Sequence, residues 1–266
     1  MNPTMRPHTR WPAVTAPLRW LATAWHVTFF GACIVVLALS PSSYARPARL
    51  ALARHIYLDT APILGGFSLL SALLTLVITR IVVVTAQSYG LSQYALEMVI
   101  RVLVLELIPL TAALFVALRC TIPNGAALAE LRRAGRLDDH RRAGADPLVA
   151  EVVPRAVAGI FATLTLASLS CVVALVLAYL AVYGWTVAGV AGYTRVFGHV
   201  FDLPVALIFV LKTLFFSLAV SVIPMASALQ PAPRAGLRER VALQGLVRMF
   251  AVLLVLEAAS LAGNYY

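Results

Sequence analysis

Long apolar runs separated by short polar gaps dominate the chain. Crossing a bilayer's hydrocarbon core takes about 20 apolar residues. Runs of that kind cover 60–86, 95–118, 156–183, 203–229 and 241–263, with a further apolar stretch at 21–39. The pattern predicts an all-α polytopic membrane protein with five transmembrane helices. An N-terminal interfacial or re-entrant helix and a helix in the long gap after the second span complete it. From 156 to 194 there is no charged residue. That is too long for one span at about 1.5 Å per residue. Its tail, 184–193, is rich in glycine and aromatic residues and is expected to cap the outer face at the interface, where Trp and Tyr prefer to sit. Residues 1–58 are read as an N-terminal interfacial region, and 59–266 as the membrane domain.

Charge orients this pattern. Of 21 basic residues, Lys212 is the only lysine. The arginines cluster in alternate gaps. Arg46, Arg49 and Arg54 precede the first span. Arg119, Arg132, Arg133, Arg136, Arg141, Arg142 and Arg155 follow the second, and Arg234, Arg238, Arg240 and Arg248 flank the start of the last. Gap 87–94 has no basic residue, and 184–200 has only Arg195 and His199. The positive-inside rule then predicts cytoplasmic arginine-rich gaps, a cytoplasmic N-terminus and an outward C-terminus, in a bacterial inner membrane. The stretch 21–39 has Arg6, Arg10 and Arg19 on one side and the 46–54 cluster on the other. Equal flanks favour a helix that keeps both ends inside over a simple span. A signal peptide cleaved near Ser43-Tyr44-Ala45 is disfavoured by the three arginines that follow at once. Residues 45–58 then read as a short basic amphipathic helix on the cytoplasmic surface. The isoelectric point near 10.2 and mean hydropathy of +0.90 report basic loops on a membrane protein. With no soluble domain left over, they do not indicate nucleic-acid binding.

Catalytic and cofactor chemistry find little support. Cys33, Cys120 and Cys171 have no pairing or metal spacing, and His8, His26, His55, His140 and His199 are far apart. There is no Walker A loop, HExxH or GxSxG. No cofactor is expected, and any energy source must be a partner or an ion gradient. His140 beside Asp138 and Asp139 reads as a solvated helix face.

Two sets of residues invite functional readings. The segment 124–142 carries an apolar stripe, Leu128, Leu131, Ala134 and Leu137, among Glu130, Arg133, Asp138, Arg141 and Arg142. It suits either docking of a cytoplasmic protein or a helix lying on anionic lipid, and periodicity weighs the two equally. Ionisable residues inside spans are costly and mark function by default. Glu97 and Arg101 stand at i, i+4, as an intrahelical ion pair does. Counting along the helices places Glu106, Lys212 and Glu257 near mid-bilayer and Arg80 at about the depth of Arg101. These residues border a polar substrate pocket or form an internal salt bridge.

The ordered features resemble the MlaE/YrbE family, permease subunits of ABC transporters that work with Mce proteins on lipids. Leu105-Glu106-Leu107-Ile108-Pro109 is similar to the family's R-E-L-G-P, and Leu110–Arg119 to the stretch after it. Asp146-Pro147, Pro154-Arg155, Asp202-Leu203, Lys212 and Ala235-Gly236 follow in the family's order. Leu105 and Ile108 replace the family's Arg and Gly. Gly135-Arg136 stand where its coupling helix has E-Q, and Gln230-Pro231-Ala232-Pro233 replaces a Gly-containing loop. The resemblance implies a homodimer with a lipid cavity at its interface, walled by Glu97, Arg101, Glu106 and Lys212. It implies a cytoplasmic ATPase engaged by the coupling helix 124–142 through Leu131, Arg133, Leu137, Asp138 and Arg141. It also implies a periplasmic ring of Mce proteins on the outer face, and a role in phospholipid transport and outer-membrane lipid asymmetry. Ser217 and Ser221 offer a small-xxx-small contact for the dimer. An ion-coupled secondary transporter using Glu106 and Glu257, and a non-transporting scaffold, are the competing readings.

Overall fold

The computed structural model describes residues 12–40, 46–91, 94–142, 144, 146–230 and 235–265. These residues form eight helical elements: α1 (Pro12–Leu39), α2 (Arg46–Ser88), α3 (Ala95–Arg133), α4 (Arg136–Arg142), α5 (Leu148–Tyr183), α6 (Val190–Val200), α7 (Leu203–Ala228) and α8 (Ala235–Tyr265). Five of them, α2, α3, α5, α7 and α8, contain stretches long and apolar enough to cross a membrane. The architecture is all-α and polytopic, as expected.

The bundle is organised around α5 and α7. Helix α5 packs along α2 and α3, and α7 packs against α1, α3, α5 and α8. Small residues allow the approach. Gly159, Ala162, Thr163, Ala167, Ser170, Ala174 and Ala178 are buried along α5. A Cβ on Gly159 would lie 2.7 Å from Ser221 Oγ and 2.8 Å from Thr121 Cγ2, so α3, α5 and α7 meet there with no room for a methyl group. Without a hydrophobic drive between helices in lipid, such packing holds spans together. Leucines, valines and isoleucines cover the outside, including Leu69, Leu73, Val77 and Ile81 on α2 and Leu207, Leu211 and Phe215 on α7. Ser217 and Ser221 are fully buried inside the chain. The expected dimer contact through them is therefore not available, because α5 and α3 already occupy that seam.

Several helices outrun a bilayer. The 43 residues of α2 extend about 65 Å against a core of about 30 Å. The separate amphipathic helix expected at 45–58 does not exist as a distinct element, because nothing breaks α2 after Arg46 and Pro62 is accommodated within it. Likewise the second span runs past 118 to Arg133 without interruption. Helix α1 is one unbroken helix, not a re-entrant pair. Its Ile34 is buried with Leu128, Val152, Val222 and Met225. Arg6, Arg10, Ser43-Tyr44-Ala45 and Pro231-Ala232-Pro233-Arg234 lie outside the described residues, as do the side chains of Arg19, Arg46, Arg238 and Arg240.

Three segments open from α to the wider π form: Ile100–Leu107, Ala117–Thr121 and Leu148–Val152. Each ends two residues before a proline: Pro109, Pro123 and Pro154. Proline lacks an N–H and its ring collides with the carbonyl four residues back. The residue just before it bonds one position further than an α-helix allows, Ile108 N–H to Leu103 O, Ile122 to Ala117 and Val153 to Leu148. Single wide turns of this kind are rare and cluster at functional sites.

The two ends of the bundle differ. One is capped: α5 stops at Gly184 in a left-handed conformation (φ 69°) and the chain returns through α6. There Tyr193 donates its hydroxyl to Leu175 O at 2.9 Å. Its ring stands edge-on to Tyr179, and burial raises its hydroxyl pKa to about 12. Phe197, Phe201 and Val200 pack onto Leu96, Val99, Ile100 and Leu103, so the cap sits over the first wide segment. Asp202 then caps α7, its Oδ1 accepting from Val205 N–H at 3.2 Å. The other end is rich in arginine and carries α4.

Candidate functional site

Pro109 explains how a charge cluster is built into the first wide segment. Without its N–H, the Leu105 carbonyl loses its helical donor. Lys212 of α7 takes that place, donating from Nζ to Leu105 O at 3.3 Å. Cys171 Sγ of α5 faces the neighbouring Val104 O at 4.0 Å. The same ammonium pairs with Glu106 of α3 and lies 2.9 Å from Glu257 Oε2 of α8. Asn264 Nδ2 donates to the other Glu106 oxygen at 3.3 Å. Phe216 lies 5.7 Å below the ammonium, ring centroid to Nζ, within cation–π range. Lys212 is 4% exposed and Glu106 8%, so that pair is buried, while Glu257 and Asn264 are partly exposed. The cluster ties α3, α7 and α8 together at mid-depth.

The residues expected to be mid-bilayer are thus brought together. Glu106 and Glu257 both pair with the Lys212 ammonium, the arrangement of an internal salt bridge. Two carboxylates face one ammonium, and Asn264 supplies a further hydrogen bond. Asn264 is not among the residues the sequence singles out, because it lies at the polar end of the last apolar run. Its i+7 spacing from Glu257 was the available signal, since it puts both on one helix face.

Glu97 and Arg101 form a separate pair. Arg101 Nε donates to Glu97 Oε1 at 3.0 Å within one turn of α3, both side chains about one-quarter exposed. They sit nearer the capped end than Glu106, and among the described residues no hydrogen bond or ion pair joins them to the Lys212 cluster. Arg80 is exposed on the apolar outer face of α2.

The segment 124–142 is not one free helix. Its first part is the end of α3, and α4 begins after Gly135, whose φ of 74° ends the helix. Its apolar stripe turns inward: Leu128 is fully buried and Leu137 packs on the same core as Ile34 and Met225. Leu131 and Leu137 line a cleft of about 170 Å³ with Arg136, His140 and Glu151. What faces outward is charge, with Arg133, Asp138 and Arg141 all exposed. Asp138 and Arg141 lie 3.7 Å apart. Arg132 anchors the segment by donating to Leu229 O at the end of α7, a favourable place for a cation. Asn124 Nδ2 donates to Asp59 Oδ2 of α2 at 2.8 Å. Asp146 Oδ1 accepts from Leu148 N–H at 2.9 Å where α5 starts, and Glu151 pairs with Arg155.

Among the described residues no group of His, Cys, Asp and Glu is placed to hold a metal ion. No curated protein matches the chain. The family described as Permease MlaE does match, over residues 52–262, a stretch that covers most of all five long apolar helices, the three wide segments, and Glu106, Lys212 and Glu257. The chain is a multi-pass membrane permease belonging to the MlaE family.

Proposed function

We propose that this chain is the membrane subunit of an ABC-type lipid transporter, moving a phospholipid or similar lipid between the inner membrane and a periplasmic Mce-protein tunnel. The observation that carries the reading is the Glu106–Lys212–Glu257–Asn264 cluster. It lies in a wide helical segment of a permease family member. A buried charge group at mid-depth is expensive, and it joins the three helices that must part if a lipid headgroup is to enter. The arginine-rich end is cytoplasmic on this reading. It presents Arg133, Asp138 and Arg141 to a separate ATPase, which supplies the energy. The capped end and the C-terminus face the periplasm. Two copies of the chain form the transporter, and Glu97 and Arg101 line the path between the cluster and the capped end.

The test is to co-purify the tagged chain with its ATPase and Mce partners, reconstitute the complex, and measure lipid transfer. Glu106→Gln should lower transfer at least tenfold while the ATPase stays bound. Unchanged transfer in Glu106→Gln and Glu97→Gln would remove the pocket from the mechanism. Absence of any ATPase from the purified complex would favour a scaffold.

A further inference from the structure

The cleft beside α4 contains a contact that is half made. His140 Nδ1 lies 2.7 Å from the Arg136 carbonyl. A carbonyl only accepts, so Nδ1 carries a proton in both charge states of the ring. Neutral His140 therefore presents a lone pair at Nε2. That atom lies 3.7 Å from Glu151 Oε1, too far for a hydrogen bond, and two acceptors face each other across the gap. The other carboxylate oxygen, Oε2, is already held by Arg155. The imidazole edge is 37% exposed, within reach of a proton from solvent.

We propose that Glu151 and His140 form a proton-gated joint between α4 and α5. A proton taken from solvent onto Nε2 turns that atom into a donor and gives the ring a positive charge. The 3.7 Å gap then closes to an ion-paired hydrogen bond and α4 locks onto the start of α5. Loss of the proton restores two opposed acceptors and releases α4. An imidazole is the side chain that makes this change over the pH range cells visit.

The surroundings favour closure by Glu151 alone. On α4 itself Arg136 lines the cleft, while Asp138 and Asp139 are paired with Arg141 and Arg142. Among the described residues, α3 contributes Leu131 to the cleft. From α5 it receives Glu151, with Arg155 behind it. Across Arg155, α2 contributes His55, which interacts with both Arg155 and Glu151, and Asp59, which interacts with Arg155. The joint sits where the first turn of α5 is π-wide, so α4 would grip the turn that Pro154 has loosened.

The joint does not rest on the reading of 124–142 as a coupling segment. Hydrogen exchange of the full chain in lipid nanodiscs tests it without a partner. Amides of 136–148, corrected for intrinsic exchange, should be about two- to fivefold better protected at pH 6 than at pH 8, the scale of one partly exposed ion pair. His140→Gln should abolish that difference and leave 153–183 unchanged. Glu151→Gln should abolish it too. A flat profile in the wild type, or the same pH response in His140→Gln, overturns the joint. A confirmed joint in a chain that binds no ATPase would overturn only the coupling reading.

Discussion

Lys212 shows how one residue makes others intelligible. Its ammonium answers two carboxylates and the carbonyl orphaned by Pro109, so removing it strands both acids. Lys212→Met should cost about 3–5 kcal/mol, because an uncompensated buried charge is left behind. Replacing Glu106 and Glu257 with glutamine in the same chain should recover most of that loss, and thermal unfolding in detergent checks both. The sequence already allowed this cluster to be anticipated: depth counting put three charges on three helices at one level, and ions at one level in lipid pair. Asn264 was hidden because a short polar residue near a chain end carries no cost that marks it. Leu131 and Leu137 are a different case. Their spacing is that of a docking stripe, but Leu137 packs onto the core shared by α1, α3, α5 and α7, and Leu131 lines the cleft beside α4.

Element boundaries were legible only in part. The apolar runs located the spans, and Asp202 and Gly184 mark the ends they should, as cap and stop. The polar continuations did not show themselves: Pro123, Asn124 and Gly125 read as a break, yet the helix runs on to Arg133, and Pro47 stands in the first turn of α2, where proline is tolerated. Nor did the wide segments, although Pro109, Pro123 and Pro154 are their markers. A π turn is an α-helix with one residue inserted. Removing one codon within 100–105 should therefore restore an α-helix whose flanks keep their facing. The same deletion within Ile108–Val116 would turn everything beyond it by about 100°. Monodisperse protein on gel filtration is expected from the first deletion and aggregation from the second.

For the whole molecule, the two ends divide the labour. The inner face of 124–142 is committed to the chain's own core, so substitutions at Leu128 or Leu137 report stability. The outer face is free of that duty. Arg133→Glu combined with Arg141→Glu should leave the melting temperature within about 2 °C, as surface changes do. On the proposed reading it should reduce the co-purified ATPase at least tenfold, measured by quantitative mass spectrometry. Helix length adds a mechanical consequence. The part of α2 preceding its apolar run, 46–59, is continuous with the span and adds about 21 Å to its length. A rod pivoting at the lipid boundary by about 10° sweeps its tip through about 4 Å. Asp59, tied to Asn124, stands at the fulcrum of that lever, so a small tilt inside the bilayer is magnified where it emerges.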